Sequence, residues 1–168
     1  MFPALSPKPL PVPQIILHTP QGGLFAGLDL ALRTAALEPA LLVQCPEDAE
    51  AAIATCEAFA AGLPAGREAA IVTILQAHAP DDWPAARRAA LLWAFTRHAA
   101  LAWAPRGIKV NAVGLGVSPV LPGQPAEEAG RAAGAAPAAS ATPADLAETV
   151  LAIWRFPSMT GQLIRLGQ

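Results

Sequence analysis

Tyrosine is absent from all 168 residues. Any mechanism that needs a phenol as general acid or base is therefore excluded before a motif is sought. Charge is scarce as well. Charged residues make up 14% of the chain, and 11 Lys+Arg against 13 Asp+Glu give a net charge of −2 and a pI near 5.9. That balance is far from the basic surplus that a phosphate backbone demands, so nucleic acid is not expected as a partner. Cysteine is limited to Cys45 and Cys56, which lack a C-x-x-C spacing. With no secretory signal they read as reduced thiols of a cytoplasmic protein. Long apolar runs are missing too: the longest candidate, Ala89 to Trp103, is interrupted by Thr96, Arg97 and His98. It falls short of the roughly 18 residues of a membrane span, so no membrane association is expected. What abounds is alanine, 40 residues, in a composition that is 54% hydrophobic. Such a chain forms a core, and its length fits one domain.

Local patterns divide the chain. Residues 1–13 carry Pro3, Pro7, Pro9, Pro11 and Pro13, which remove backbone donors and favour an extended arm. Residues 14–168 then alternate short apolar runs with Ala-rich segments of helical period. Strands are predicted at 14–18, 40–44, 70–74, 108–113 and 162–166, and helices at about 24–36, 47–62, 84–103 and 143–155. The β-α alternation implies a parallel sheet of about five strands covered on both faces, a Rossmann-like three-layer α/β/α sandwich wound through right-handed crossovers. Residues 122–141 are almost wholly Ala, Gly, Pro, Glu and Ser and read as a flexible loop. Helix ends are well marked. Thr142-Pro143-Ala144-Asp145 supplies a hydroxyl cap, a first-turn proline and an acid, while Asp81, Asp82 and Pro84 open the 84–103 helix.

Five segments in order carry a resemblance. They are Ala70-Ile71-Val72-Thr73-Ile74, Leu92-Trp93-Ala94-Phe95-Thr96-Arg97, the stretch from Leu101 to Val113 containing Ala104-Pro105-Arg106-Gly107-Ile108-Lys109-Val110-Asn111, Thr142 to Ala147, and Met159-Thr160-Gly161-Gln162-Leu163-Ile164. In this order they resemble the C-terminal half of the short-chain dehydrogenase/reductase family. The resemblance implies an NAD(P)-binding fold, an oxidoreductase activity, and a catalytic Ser with a Tyr-x-x-x-Lys pair. Taking Thr96-Arg97 as the register, the lysine falls on Ala89, the tyrosine on Ala85 and the serine near Gln76. A register shifted by two puts Trp83 and Arg87 there instead; an indole cannot titrate and a guanidinium stays charged. Carbonyl reduction needs an acid that delivers a proton as hydride arrives, and neither register provides one.

The cofactor motif departs from the family too. After the first strand comes Thr19-Pro20-Gln21-Gly22-Gly23-Leu24-Phe25-Ala26-Gly27, with side chains where the family's glycines let pyrophosphate approach a helix N-terminus. Gly22, Gly23 and Gly27 remain as candidates for an anion nest or a plain strand-to-helix turn. Asn111 and Gly116 are further cofactor candidates carried over from the resemblance, although the threonine expected after Gly116 is missing. The resemblance also implies a sheet two strands wider than the five found here. If Leu41-Leu42-Val43-Gln44-Cys45 matches the family's fourth strand, the unit that holds adenosine is missing.

The expectation is thus a truncated, degenerate relative, inactive as an oxidoreductase and expecting neither cofactor nor metal. It would act as a homodimer through helices 47–62 and 84–103, or as the silent subunit of an active relative. The apolar stripes Ile53, Cys56, Phe59 and Leu92, Phe95, Ala99 would supply that contact, or else would only cover their own sheet. Two alternatives stay open. One is an NAD(P)-dependent oxidoreductase with a relocated catalytic group among His78, Gln76, Arg87 and Arg88. The other is a small-ligand-binding module with Gly22, Gly23 and Gln76 in its walls. His18 and His98 read as structural.

Overall fold

The computed structural model describes residues 15–18, 28, 32, 40–76, 78, 81–115 and 142–166. The proline-rich arm, the glycine turn, Gly116 and the 122–141 loop lie outside the described residues. The elements are β1 (Ile15–His18), β2 (Ala40–Gln44), α1 (Ala49–Gly62), β3 (Ala69–Gln76), α2 (Trp83–Trp103), β4 (Ile108–Leu115), α3 (Pro143–Arg155) and β5 (Leu163–Leu166). The first predicted helix is represented by Leu28 and Leu32, both helical and fully buried. Among the described residues no helix is long and apolar enough to cross a membrane.

Capping explains where the helices begin. Asp48 accepts from the N–H of Ala51 at 2.6 Å and Asp82 from that of Ala85 at 3.0 Å. Thr142 and Asp145 form a reciprocal box, each accepting from the other's backbone N–H at 3.2 and 2.8 Å. Those bonds from Thr142 hold the Asp145 carboxyl below the usual carboxylate range.

All five strands are parallel and lie in the order β1-β2-β3-β4-β5. The expected α/β sandwich is present. Alternation along each central strand sorts the core into two layers. Leu41, Val43, Val72, Ile74 and Val113 face Leu28, Leu32 and the buried stripe Leu146, Val150 and Ile153 of α3. Leu42, Ile71 and Val110 face Cys56, Phe59 and Ala60 of α1 and Ala99 of α2, and Leu75 and Ala112 face Leu92.

One detail corrects the expectation. With strands advancing always in one direction, right-handed crossovers would put every helix on a single face. Here α1 and α2 cover one face and α3 the other. The β4-to-β5 crossover therefore has the opposite hand to the two before it.

The join between β4 and β5 is set by one buried side chain. Asn111, fully buried, donates from Nδ2 to the carbonyl of Met159 at 2.9 Å, and its Oδ1 accepts from the N–H of Gln162 at 3.0 Å. Between them Gly161 adopts φ +69°, its N–H donates to the Val110 carbonyl at 2.7 Å, and an added Cβ would lie 3.3 Å from Ala100 Cβ. Gly161→Ala is expected to cost about 1–2 kcal/mol from the left-handed backbone alone, read as a lowered urea midpoint at unchanged m-value.

Candidate functional site

Ligands of open parallel sheets bind beyond the carboxyl ends of the strands. At that end, Cys45, Pro46 and Glu47 after β2, Ile74 to Gln76 of β3, and Ala85, Arg88, Ala89 and Leu92 of α2 enclose a crevice of about 50 Å³. The helix spacing of these α2 residues follows from their placement on one face. The Asp82 cap fixes where that face begins, and Arg88 ties it down by donating from Nη1 to the Glu47 carbonyl at 3.1 Å.

The residues of the two registers lie differently with respect to the crevice. Ala85 and Ala89 form part of its wall and are buried. Trp83 is 75% exposed, Arg87 is exposed, and neither lines the crevice. Gln76, the residue nearest the expected serine, lines it at the end of β3 and donates from Nε2 to Cys45 Sγ at 3.2 Å. Cys45 was not singled out in sequence. Its place one residue beyond the apolar run of β2 was the available signal, since that position meets the carboxyl-end crevice.

Burial pushes the Cys45 thiol up to about 11, only partly opposed by the Gln76 hydrogen bond. The thiol is therefore protonated and poorly nucleophilic near neutral pH. A second polar cluster is fully buried. Gln44 donates from Nε2 to Cys56 Sγ at 3.0 Å and to Thr73 Oγ1 at 3.2 Å, with all three side chains buried between the sheet and α1. Desolvation lifts Cys56 to about 12. Both cysteines are free.

The remaining candidates are dispersed. His78 is half-buried just past β3 and does not line the crevice. His98 is exposed on α2, and His18 ends β1. Asn111 has both ends of its amide engaged by the loop before β5, which makes it a fold latch rather than a group offered to a cofactor. Gly22, Gly23, Gly27 and Gly116 lie outside the described residues. Among the described residues no cluster of three His, Cys, Asp or Glu side chains could hold a metal.

The dimer stripes also change meaning. Cys56, Phe59, Leu92 and Ala99 are buried against the chain's own sheet, with Phe95 half-buried beside them. The outward residues are instead Ala54, Ala58 and Ala61 on α1, and Leu91, Ala94, His98 and Leu101 on α2. Both sets follow helical spacing, so each helix presents a second, exposed face.

Ala85 and Ala89 present methyl groups to the crevice, and its thiol, Cys45, is held protonated. No protein-family profile matches the chain, and no curated protein matches it. Solved structures do share its fold. It is similar to the FolM alternative dihydrofolate reductase 1 of Brucella canis complexed with NADP, at 23% identity and TM-score 0.55, covering 86% of this chain and 69% of that one. The Brucella suis protein of the same name, in complex with NADP, aligns at 24% identity and TM-score 0.54 over 86% and 70%. A short chain dehydrogenase from Leptospira borgpetersenii serovar Hardjo-bovis with bound NAD+ aligns at 16% and 0.50 over 82% and 67%. The chain thus shares the parallel α/β fold of these structures.

Proposed function

We propose that this chain is a shortened short-chain-dehydrogenase-like protein that has lost oxidoreductase chemistry and works by association in the cytoplasm, as a homodimer or as the silent subunit of an active relative. The carrying observation is the methyl wall: Ala85 and Ala89 occupy the crevice where a hydride acceptor would need a proton. The sheet supports the shortening. A doubly wound sheet of order 3-2-1-4-5-6 becomes monotonic when its second and third strands are removed. Its first helix then remains on the face it used to reach the missing second strand. The observed order, with Leu28 and Leu32 on the α3 face, has that form.

Association uses the outward faces of α1 and α2. Leu101, 81% exposed, and Leu91 stand on one stripe of α2 with Ala94, beside the small residues Ala54, Ala58 and Ala61 of the neighbouring helix. Two such pairs pack closely across a two-fold axis because alanine permits near approach and leucine fills the hollow. Light scattering at micromolar concentration is expected to give a dimer that Leu101→Glu converts to monomer without lowering the monomer's melting temperature. A monomeric parent protein that also fails to retain any full-length relative on co-purification removes this reading.

Cofactor binding is the direct test of lost chemistry. Titration with NADPH or NADH is expected to leave the melting temperature unchanged up to millimolar nucleotide, because a 100-fold excess over Kd would add about 2.7 kcal/mol of stability. The neighbours with bound NADP favour the second reading, an NAD(P)-dependent enzyme with a non-standard site. A clear shift at micromolar nucleotide would establish it instead.

A further inference from the structure

A larger cavity, about 290 Å³, lies at the amino ends of the strands, opposite the crevice. Glu68 ahead of β3, Ile108 and Lys109 of β4, Trp154 and Arg155 at the end of α3, and Pro157 form most of its wall. None of these residues takes part in the association proposed above.

Lys109 organises the cavity. The last carbonyls of a helix lack intrahelical partners and attract cations. Lys109 Nζ donates to the Trp154 carbonyl there and lies 4.8 Å from the centre of the Trp154 ring. One hydrogen bond leaves two of its three donors for another acceptor. Burial lowers the pKa of this amine, and the charge on Glu68 opposes that shift only in part. A partly desolvated cation with an incomplete set of acceptors gains most from a full counter-charge. Arg155, exposed, supplies a second cation at the same wall. Two cations against one carboxyl favour an anion. Pro157 and the half-buried indole give that anion's body an apolar surface, which a bare inorganic ion would leave unused. The volume sits at the lower end of the roughly 300–1,000 Å³ of ligand pockets, which suits a small molecule.

The geometry points to a binding site for a small aromatic carboxylate, its carboxylate held by Lys109 and Arg155 and its ring against Pro157 and Trp154. Calorimetry on the full chain with benzoate tests this, with inorganic phosphate and benzylamine as contrasts. Benzoate is expected to saturate in the submillimolar range, phosphate to bind at least tenfold more weakly, and benzylamine not to bind. Lys109→Met and Arg155→Gln are each expected to weaken benzoate about tenfold, the loss of one charge-assisted hydrogen bond. Glu68→Gln is expected to tighten it. Arg155 is exposed, so Arg155→Gln remains informative if Lys109→Met fails to fold. The proposal is overturned by no benzoate binding at millimolar concentration, by phosphate binding as tightly as benzoate, or by affinity unchanged in Arg155→Gln. Because the cavity and the crevice are at opposite ends of the sheet, a failure here leaves the NADPH titration and the light-scattering result untouched.

Discussion

Asn111→Ala is expected to be among the most destabilising single changes in this chain, lowering the unfolding free energy by roughly 2–6 kcal/mol. The amide is fully buried and bridges Met159 and Gln162, so truncation strands a carbonyl and an N–H together. Each such orphan costs about 1–3 kcal/mol, against a total stability of only about 5–15 kcal/mol for a domain. Asn111→Asp keeps the acceptor for Gln162 but turns a second oxygen toward the Met159 carbonyl, so it is expected to recover only part of the loss. Urea unfolding monitored by circular dichroism measures both variants. An Asn111→Ala protein as stable as the parent would remove the latch as an explanation of how β5 is held.

Alkaline pH is expected to unfold the protein through its thiols. Cys45 and Cys56 titrate near 11 and 12 in the fold against 9.0 for an ordinary thiol, because burial disfavours the thiolate. A folded pKa above the unfolded one leaves the contribution intact below pH 9. It is then lost as pH rises, because above 9 the unfolded chain ionises first. The slope is about 1.4 kcal/mol per pH unit for each thiol until the folded pKa is reached. Lys109 works the other way. Its folded pKa is lowered, so its burial penalty is present at neutral pH and disappears as pH rises toward 10.5. Two thiols outweigh one amine, and net stability falls above pH 9. Chemical denaturation at intervals from pH 8 to 11 measures the slope, and Cys56→Ala is expected to remove about one proton's worth of it. The same burial suppresses reactivity: two pKa units leave Cys45 with about a hundredfold less thiolate than a free cysteine at pH 8. Rapid labelling by a maleimide in the folded state would contradict that environment.

The element pattern was legible because it is carried by local signals. The apolar run Ala40–Gln44 is a fully buried strand as its composition implies, and Thr142 and Asp145 begin α3 where their hydroxyl and carboxyl satisfy free N–H groups. The stripe Leu92, Phe95, Ala99 was legible as a stripe, but helical periodicity states only that one face is apolar. It does not say whether a sheet or a second subunit covers it, and the chain's own sheet covers Leu92 and Ala99.

Sequence by itself determined one absence and the alternation: no phenol anywhere, and strands separated by helices in a parallel α/β order. These are properties of residue type and near-neighbour spacing. Only the tertiary structure decided that Ala85 and Ala89, rather than Trp83 and Arg87, face the crevice. It also decided the one-way strand order with helices on both faces, and the meeting of Lys109 with Trp154 and Glu68 in one cavity. Residues 68, 109 and 154 are brought together by strand pairing and helix docking. Both depend on which face of each element is buried, a choice the linear chain leaves open until the elements pack.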